Sequence, residues 1–401
     1  MERAFIAGVN FSGRSGMLRA SLQREPGRTF FVGPYAEAAL SGLSSTVTDE
    51  IAIYARRPED GAFAPLDWAA LAARKPATLS GGEQVLLALH CFSRSEYRRI
   101  GIDTALEQLD TNNRATALTY LGAEAHGSGH ERDRLSTEAR FGVILIDNRL
   151  TSLPQDWERC QANGNATGHA VDFAGIVAAL RPRDAPSITI ENLRFSYKSG
   201  RPIFHDVALS LEPRTAYRLV GPNGAGKTTL FKLLVGVLKP TRGIIRLDDA
   251  VCAPWRSGNR VFALATQNPD HQWCGATLAE DLARRCRALA AADITAPAQG
   301  LLASLAVRLG AATGDQLLYE LPLAARKRLS WLWPISGAMP WLMLDEPTIG
   351  QDNETRAGLA TIVARLCELG HGVVLVTHDD DFAARLPHRT LRIEDQTIRE
   401  P

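Results

Sequence analysis

The chain contains its own pattern twice. Leu79-Ser80-Gly81-Gly82-Glu83 lies 242 positions before Leu321-Pro322-Leu323-Ala324-Ala325, and the same offset sets Asp103 on Asp345 and Asp110 on Asp352. Insertions change the offset elsewhere. Thr46-Val47-Thr48-Asp49-Glu50-Ile51 matches Thr277-Leu278-Ala279-Glu280-Asp281-Leu282 at 231, and the run from Gly142 to Asn148 matches that from Gly372 to His378 at 230. A repeat of this length predicts two copies of one domain, not a single large core. The 401 residues are enough for two or three domains.

Short apolar runs such as Trp341-Leu342-Met343-Leu344 and Val373-Val374-Leu375-Val376 alternate with helix-like segments. That alternation predicts an α/β fold with a mostly parallel sheet covered by helices. The first copy is shorter at its front. Strand-like runs at Ser187–Ile190 and Leu193–Tyr197 precede Gly221, with no counterpart before Gly8. Pro154, Asn163-Gly164, Pro182 and Pro186 mark the junction. Asn-Gly is a hairpin signal, so residues to about 167 are expected to stay with the first copy. The boundary is placed between Pro182 and Ser187, giving domains 1–184 and 185–401.

Composition narrows the setting. A formal net charge of +1 supplies no basic field, so no nucleic-acid partner is expected. Six scattered cysteines show no metal-ligand spacing and predict free thiols in a reducing compartment. The uncharged stretch from Leu329 to Leu344 is too short to span a bilayer and contains Pro334, Gly337 and Pro340. Met1 runs into a glycine-rich loop with no leader pattern. The expected location is cytoplasmic, on the inner face of a membrane only through partners.

The second copy carries a complete phosphate loop, Gly221-Pro222-Asn223-Gly224-Ala225-Gly226-Lys227-Thr228, followed by Thr229. Such a loop between strand and helix wraps backbone N–H groups around phosphate oxygens and uses the positive end of the helix. Its glycines allow the backbone to come close. Lys227 is expected at the β- and γ-phosphates and Thr228 at Mg²⁺. The strand-like run Ala216–Val220 before it and the helix-like run from Leu230 after it supply the required context. Further on, the apolar run from Trp341 ends in Asp345-Glu346: one carboxylate can hold Mg²⁺ and the other can polarise an attacking water.

These residues resemble the ABC (ATP-binding cassette) ATPase family over nearly all of the chain. The resemblance implies two tandem P-loop NTPase domains, each a mostly parallel sheet with a helical subdomain. It makes Gln267 the glutamine that links the Mg²⁺ site to a partner, Asp352 the D-loop aspartate, and His378 the switch histidine that contacts the γ-phosphate. Tyr197 either stacks on adenine or is a strand tyrosine of the core. Ser80, Gly81, Gly82 and Glu83 match the family signature, whose helix N-terminus closes on the γ-phosphate held by the opposite domain. The string from Gln267 to Gln272 looks most like the ATPases of energy-coupling-factor and cobalt or nickel importers.

Each copy lacks what the other keeps. In the first, Arg14 replaces the loop lysine, Thr104 replaces Glu346, Asn148 replaces His378, and no glutamine occurs around Tyr35-Ala36-Glu37. Guanidinium is no substitute for a compact ammonium at a crowded phosphate. In the second, Pro322 and Leu323 spoil the signature. Family domains pair head to tail, within one chain or in a homodimer. One site would therefore combine Lys227, Thr228, Gln267, Asp345, Glu346 and His378 with Ser80, Gly81 and Gly82. The other, from Arg14, Ser15 and Asp103 with Pro322-Leu323-Ala324, would be catalytically dead. The expected function is an ATP-hydrolysing subunit of an importer, using ATP and Mg²⁺ and docked on integral-membrane subunits. A soluble non-transport ABC ATPase and a nucleotide-gated regulatory clamp stay open as alternatives.

Overall fold

A computed structural model describes residues 3–7, 17–18, 29–58, 62–122, 142–150, 157–161, 171–197, 202–257, 261–291, 299–309, 317–336 and 339–400. It divides into two units, Met1–Thr167 and Gly168–Pro401.

In the first unit, five strands form one sheet in the order β2-β3-β4-β1-β5: β1 Arg3–Ala7, β2 Thr29–Val32, β3 Arg99–Asp103, β4 Gly142–Ile146 and β5 Glu158–Gln161. Every neighbouring pair is parallel. Ile100, Ile102, Val143 and Leu145 are buried in one core with Val85, Leu86 and Leu89. The last three belong to helix α2, Gly81–Arg94; α1, Val47–Tyr54, precedes it and α3, Thr111–Leu121, follows.

The second unit opens with α4, Phe173–Ala179, and an antiparallel sheet of order β10-β9-β6-β7: β6 Ile188–Ser196, β7 Pro202–Leu211, β9 Arg242–Leu247 and β10 Ala250–Cys252. Its larger sheet runs β11-β12-β13-β8-β14-β15, from β8 Ala216–Val220, β11 Phe262–Ala265, β12 Trp341–Asp345, β13 Gly372–Val376, β14 His388–Glu394 and β15 Thr397–Arg399. Only β15 is antiparallel to its neighbour. Strands β12 and β13 are buried along their whole length, as strands covered on both faces must be. Helix α5, Lys227–Leu234, follows β8. Helices α6 Leu278–Ala291, α7 Gln299–Arg308 and α8 Leu323–Ser330 lie between β11 and β12, and α9 Asn353–Glu368 joins β12 to β13.

The two parallel sheets agree residue by residue. Arg99 pairs with Gly142 and Asp103 with Ile146; in the second unit Trp341 pairs with Gly372 and Asp345 with Val376. Those pairs reproduce the sequence offsets of 242 and 230. Helices α2 and α8 begin at matching residues, Gly81 and Leu323.

The division at 167/168 departs from the expected 184/185. Helix α4 is the reason. Asp172 caps it by accepting from Gly175 N at 2.8 Å, and Ile176 and Leu180 enter the core of the second unit. Phe173 fills the space above Gly358 of α9, where an added Cβ would meet its ring at 2.2 Å. Apolar burial, which the proline punctuation does not report, ties this segment to the second unit. Among the described residues no helix is long and apolar enough to cross a membrane.

Candidate functional site

Strand β8 leaves the sheet at Val220 and the chain turns through Gly221–Gly226 into α5. The turn depends on Gly226, whose φ of +109° suits glycine. A Cβ there would lie 2.6 Å from Ile203 Cγ2 and 3.0 Å from Phe204 Cζ. Lys227 curls back over its own loop, its ammonium donating to Gly221 O at 2.7 Å and Pro222 O at 3.1 Å. The next residue points the other way: Thr228 Oγ1 donates to Asp345 Oδ2 at 2.9 Å. A hydroxyl and a carboxylate, both hard oxygen donors, thus meet beside the phosphate loop, a pairing suited to Mg²⁺. Tyr197 follows β6, is 40% exposed, and its hydroxyl lies 3.0 Å from Thr229 Oγ1. It is therefore no core tyrosine, and its partly open ring stands beside α5.

Asp345 and Glu346 close the carboxyl end of β12, where open α/β sheets bind ligands. Burial raises the Asp345 pKa, opposed by the Thr228 hydrogen bond and by Lys327, Lys227 and Lys232. Glu346 adopts the left-handed region, φ +46°, and its N–H donates to Val376 O at 2.9 Å. Its carboxylate faces the chain after β13: His378 N donates to Oε2 at 3.3 Å, and His378 Nε2 lies 3.6 Å from Oε1. A carboxylate held beside an imidazole, both largely buried, can orient and polarise a water.

Gln267 sits two residues beyond β11, in the segment bound by a side chain that sequence reasoning passed over. Lys327 of α8 is fully buried and donates to Thr266 O at 2.9 Å, Gln267 O at 2.8 Å and Asp345 O at 3.1 Å. Burial lowers its pKa to about 7, with Asp345 and Glu346 pulling upward. Arg326 pairs with Asp270, and Gln272 Nε2 donates to Ser330 O at 3.1 Å. Charged side chains are rarely buried unless paired, yet Lys327 and Arg328 of the Arg326-Lys327-Arg328 run are inside. Only the three carbonyls gathered in space reveal the lysine's place.

The first unit repeats this backbone with other side chains. Thr104 takes the place of Glu346 in the same left-handed turn, φ +57°, and its N–H donates to Ile146 O at 2.8 Å. Asn148 donates from N and Nδ2 to Glu107 Oε1 at 2.8 and 3.0 Å. The paired strands put Pro34 where Gln267 stands, just before the expected Tyr35-Ala36-Glu37. Its carbonyl accepts from Gln108 Nε2. The predicted Gly8–Ser15 loop, with Arg14, lies outside the described residues.

Ser80 caps α2 in a reciprocal box: its Oγ accepts from Glu83 N at 3.3 Å while Ser80 N donates to Glu83 Oε2 at 2.7 Å. Gly81 and Gly82 form the first turn above it. At the matching end of α8, Pro322 provides no side-chain cap, and Leu323 lies against Gly350. Asp110 and Asp352 cap α3 and α9 alike, accepting from Asn113 N and Thr355 N at 2.9 Å.

The ABC transporter family matches residues 204–349, a span that holds Gly221–Thr229, Gln267, Lys327, Asp345 and Glu346. A Streptomyces coelicolor protein named as an ABC transporter ATP-binding protein is 36% identical over 48% of this chain and 34% of its own length. A Treponema denticola protein of the same description is 25% identical over 82% of this chain and 69% of its own. The biotin transport ATP-binding protein of Rhodobacter capsulatus is 32% identical over 45% of this chain and 76% of its own. The chain thus spans about a third of the Streptomyces relative's length.

Proposed function

The chain belongs to the ABC transporter ATP-binding proteins, and we propose that it hydrolyses ATP for an importer at one competent site built from both units. The observation that carries this reading is the paired turn: the same left-handed residue with the same backbone bond occurs after β12 and after β3, as Glu346 in one and Thr104 in the other. Of these two turns, one carries a carboxylate that can serve as general base.

In this reading the N–H groups of Gly221–Thr229 and the Lys227 ammonium hold the phosphates. Thr228, Asp345 and Gln267 would hold Mg²⁺, which when bound neutralises charge on the β- and γ-oxygens. Glu346 accepts a proton from the attacking water, and His378 orients that water and the terminal phosphate. Ser80, Gly81 and Gly82 complete the site from the other unit. Pairing is head to tail, and the second site, with Arg14, Thr104 and Pro322-Leu323-Ala324, does not turn over. Import rests on the likeness to the biotin transport protein and on the string Gln267–Gln272. Integral-membrane subunits are the proposed partners, which would place the chain on the inner membrane face.

Phosphate release by the full chain tests the asymmetry. Glu346→Gln is expected to lower turnover by about 100-fold or more, while Arg14→Ala stays within about twofold of the wild type. Equal losses in the two variants would show that both sites are needed and overturn the one-site reading.

A further inference from the structure

We propose that Lys327 is a positioning residue for hydrolysis, its ammonium clamping the segment around Gln267 against the carboxyl end of β12. The proposal deepens the ATPase reading, since it rests on Gln267, Asp345 and Glu346 being the hydrolytic groups. Three carbonyls from two strand ends converge on one buried ammonium within 2.8–3.1 Å: Thr266 and Gln267 after β11, and Asp345 at the end of β12. An ammonium has three donors, so all of them are used. The clamp therefore fixes the spacing between the backbone that carries Gln267 and the backbone that carries Asp345 and Glu346.

The rest of the segment is tied to α8 as well. Arg326 pairs with Asp270, and Gln272 bridges Thr266 N at 3.1 Å and Ser330 O at 3.1 Å. Helix α8 thus holds this loop at both of its ends, with Lys327 the contact that also reaches β12.

The first unit supplies an internal control. Helix α2 starts in register with α8, and the offset of 242 puts Val85 at the place of Lys327. That unit has Pro34 in place of Gln267 and Thr104 in place of Glu346. The buried lysine occurs only in the unit that keeps the hydrolytic residues. A buried cation is costly to desolvate, and an apolar residue of similar volume serves plain packing as well or better. A role in holding two loops at a fixed distance explains why the costlier residue stands there.

The test is Lys327→Met in the full chain, with turnover, ATP affinity without Mg²⁺ and amide hydrogen exchange measured together. The expected result is a fall in kcat of about 10–100-fold, because sub-ångström misplacement of catalytic groups is amplified in rate. ATP affinity should stay within about threefold, since the phosphate loop is untouched. Exchange should accelerate at 266–272 and 345–346 and stay unchanged in β8 and β13. If Lys327→Met does not accumulate as folded protein, Lys327→Gln takes the same three measurements. Unchanged kcat, affinity falling in step with kcat, or faster exchange throughout the second unit would each overturn the clamp. If the wild type itself shows no ATPase, the ATPase reading fails while the exchange measurement still decides the clamp.

Discussion

Ser80 tests the proposed shared site, because a plain helix cap and a group completing that site would carry very different magnitudes. Truncating Ser80 to alanine removes the 3.3 Å bond from Glu83 N and leaves the 2.7 Å bond from Ser80 N to Glu83 Oε2. The loss should therefore fall at the low end for caps, about 0.5–1 kcal/mol. Arginine at this position adds an unfavourable cation at a helix N-terminus, about 0.3–1 kcal/mol more. Helix α2 buries Val85, Leu86, Leu87, Ala88 and Leu89 completely, so it stays folded in either variant. For a unit of this size, about 1 kcal/mol moves Tm by roughly 2–4 °C. On the shared-site reading, by contrast, Ser80→Arg blocks the anion site facing the Lys227 loop. The loss should then resemble that of an oxyanion donor, about 100- to 1000-fold in kcat. Phosphate release and thermal unfolding of the same preparations make the comparison. Ser80→Arg protein that melts within a few degrees of wild type and hydrolyses ATP normally would refute the shared site.

Lys227→Ala should abolish turnover and weaken ATP binding together, seen as parallel losses in phosphate release and in nucleotide titration. Gly226→Ala must place a Cβ 2.6 Å from Ile203 Cγ2 at φ +109°, at a cost of about 1–3 kcal/mol; a melt unchanged from wild type would contradict the glycine argument. Burial lowers the His371 pKa below its ordinary 6.5, its Nε2 lying 2.9 Å from Arg181 O. The unfolded chain then binds a proton that the folded chain resists, so this contribution is full above about pH 6.5 and is lost as pH falls below it. Urea unfolding near pH 5.5 and 7.5 should show wild-type stability rising with pH and a flatter dependence in His371→Gln. If the proposed importer role holds, the chain purified in detergent from whole-cell extract should bring with it a protein with several membrane-spanning segments; recovery alone would count against transport.

Much of this architecture was legible because the chain repeats. The offset of 242 sets Asp103 on Asp345 and Leu79 on Leu321; the structure puts each aspartate at the end of a buried strand, β3 and β12, and each leucine just before a helix, α2 and α8. The turn at Gly226 was legible from residue type alone, since its φ of +109° suits glycine; the roles of Lys227 and Thr228 at phosphate and Mg²⁺ belong to the proposed function. What escaped depends on tertiary packing. Phe173 belongs with Gly358 because of a pocket 185 residues away in sequence, and no proline or glycine signal reports it. Lys327 looks like one cation in a basic helix until Thr266, Gln267 and Asp345 close around it. Pro34 became identifiable as the counterpart of Gln267 only through strand pairing, because the intervening offset differs from those the sequence revealed.

Several local structures of the second unit recur in the first, with different side chains at the positions matching Glu346 and His378. Asp110 caps α3 as Asp352 caps α9. Arg114 and Arg356 occupy matching positions, and each finds a carboxylate after the following strand: Asp147 at 2.8 Å in one unit, Asp379 at 3.1 Å in the other. The acid has moved by two residues relative to the repeat, yet the buried ion pair is re-formed. A broken buried pair would leave an uncompensated charge and cost several kcal/mol. The left-handed turn also persists at Thr104, although a threonine gains nothing from that backbone and pays in strain. Cap, buried ion pair and left-handed turn are thus each present in both units, whereas Glu346 and His378 have Thr104 and Asn148 as their counterparts.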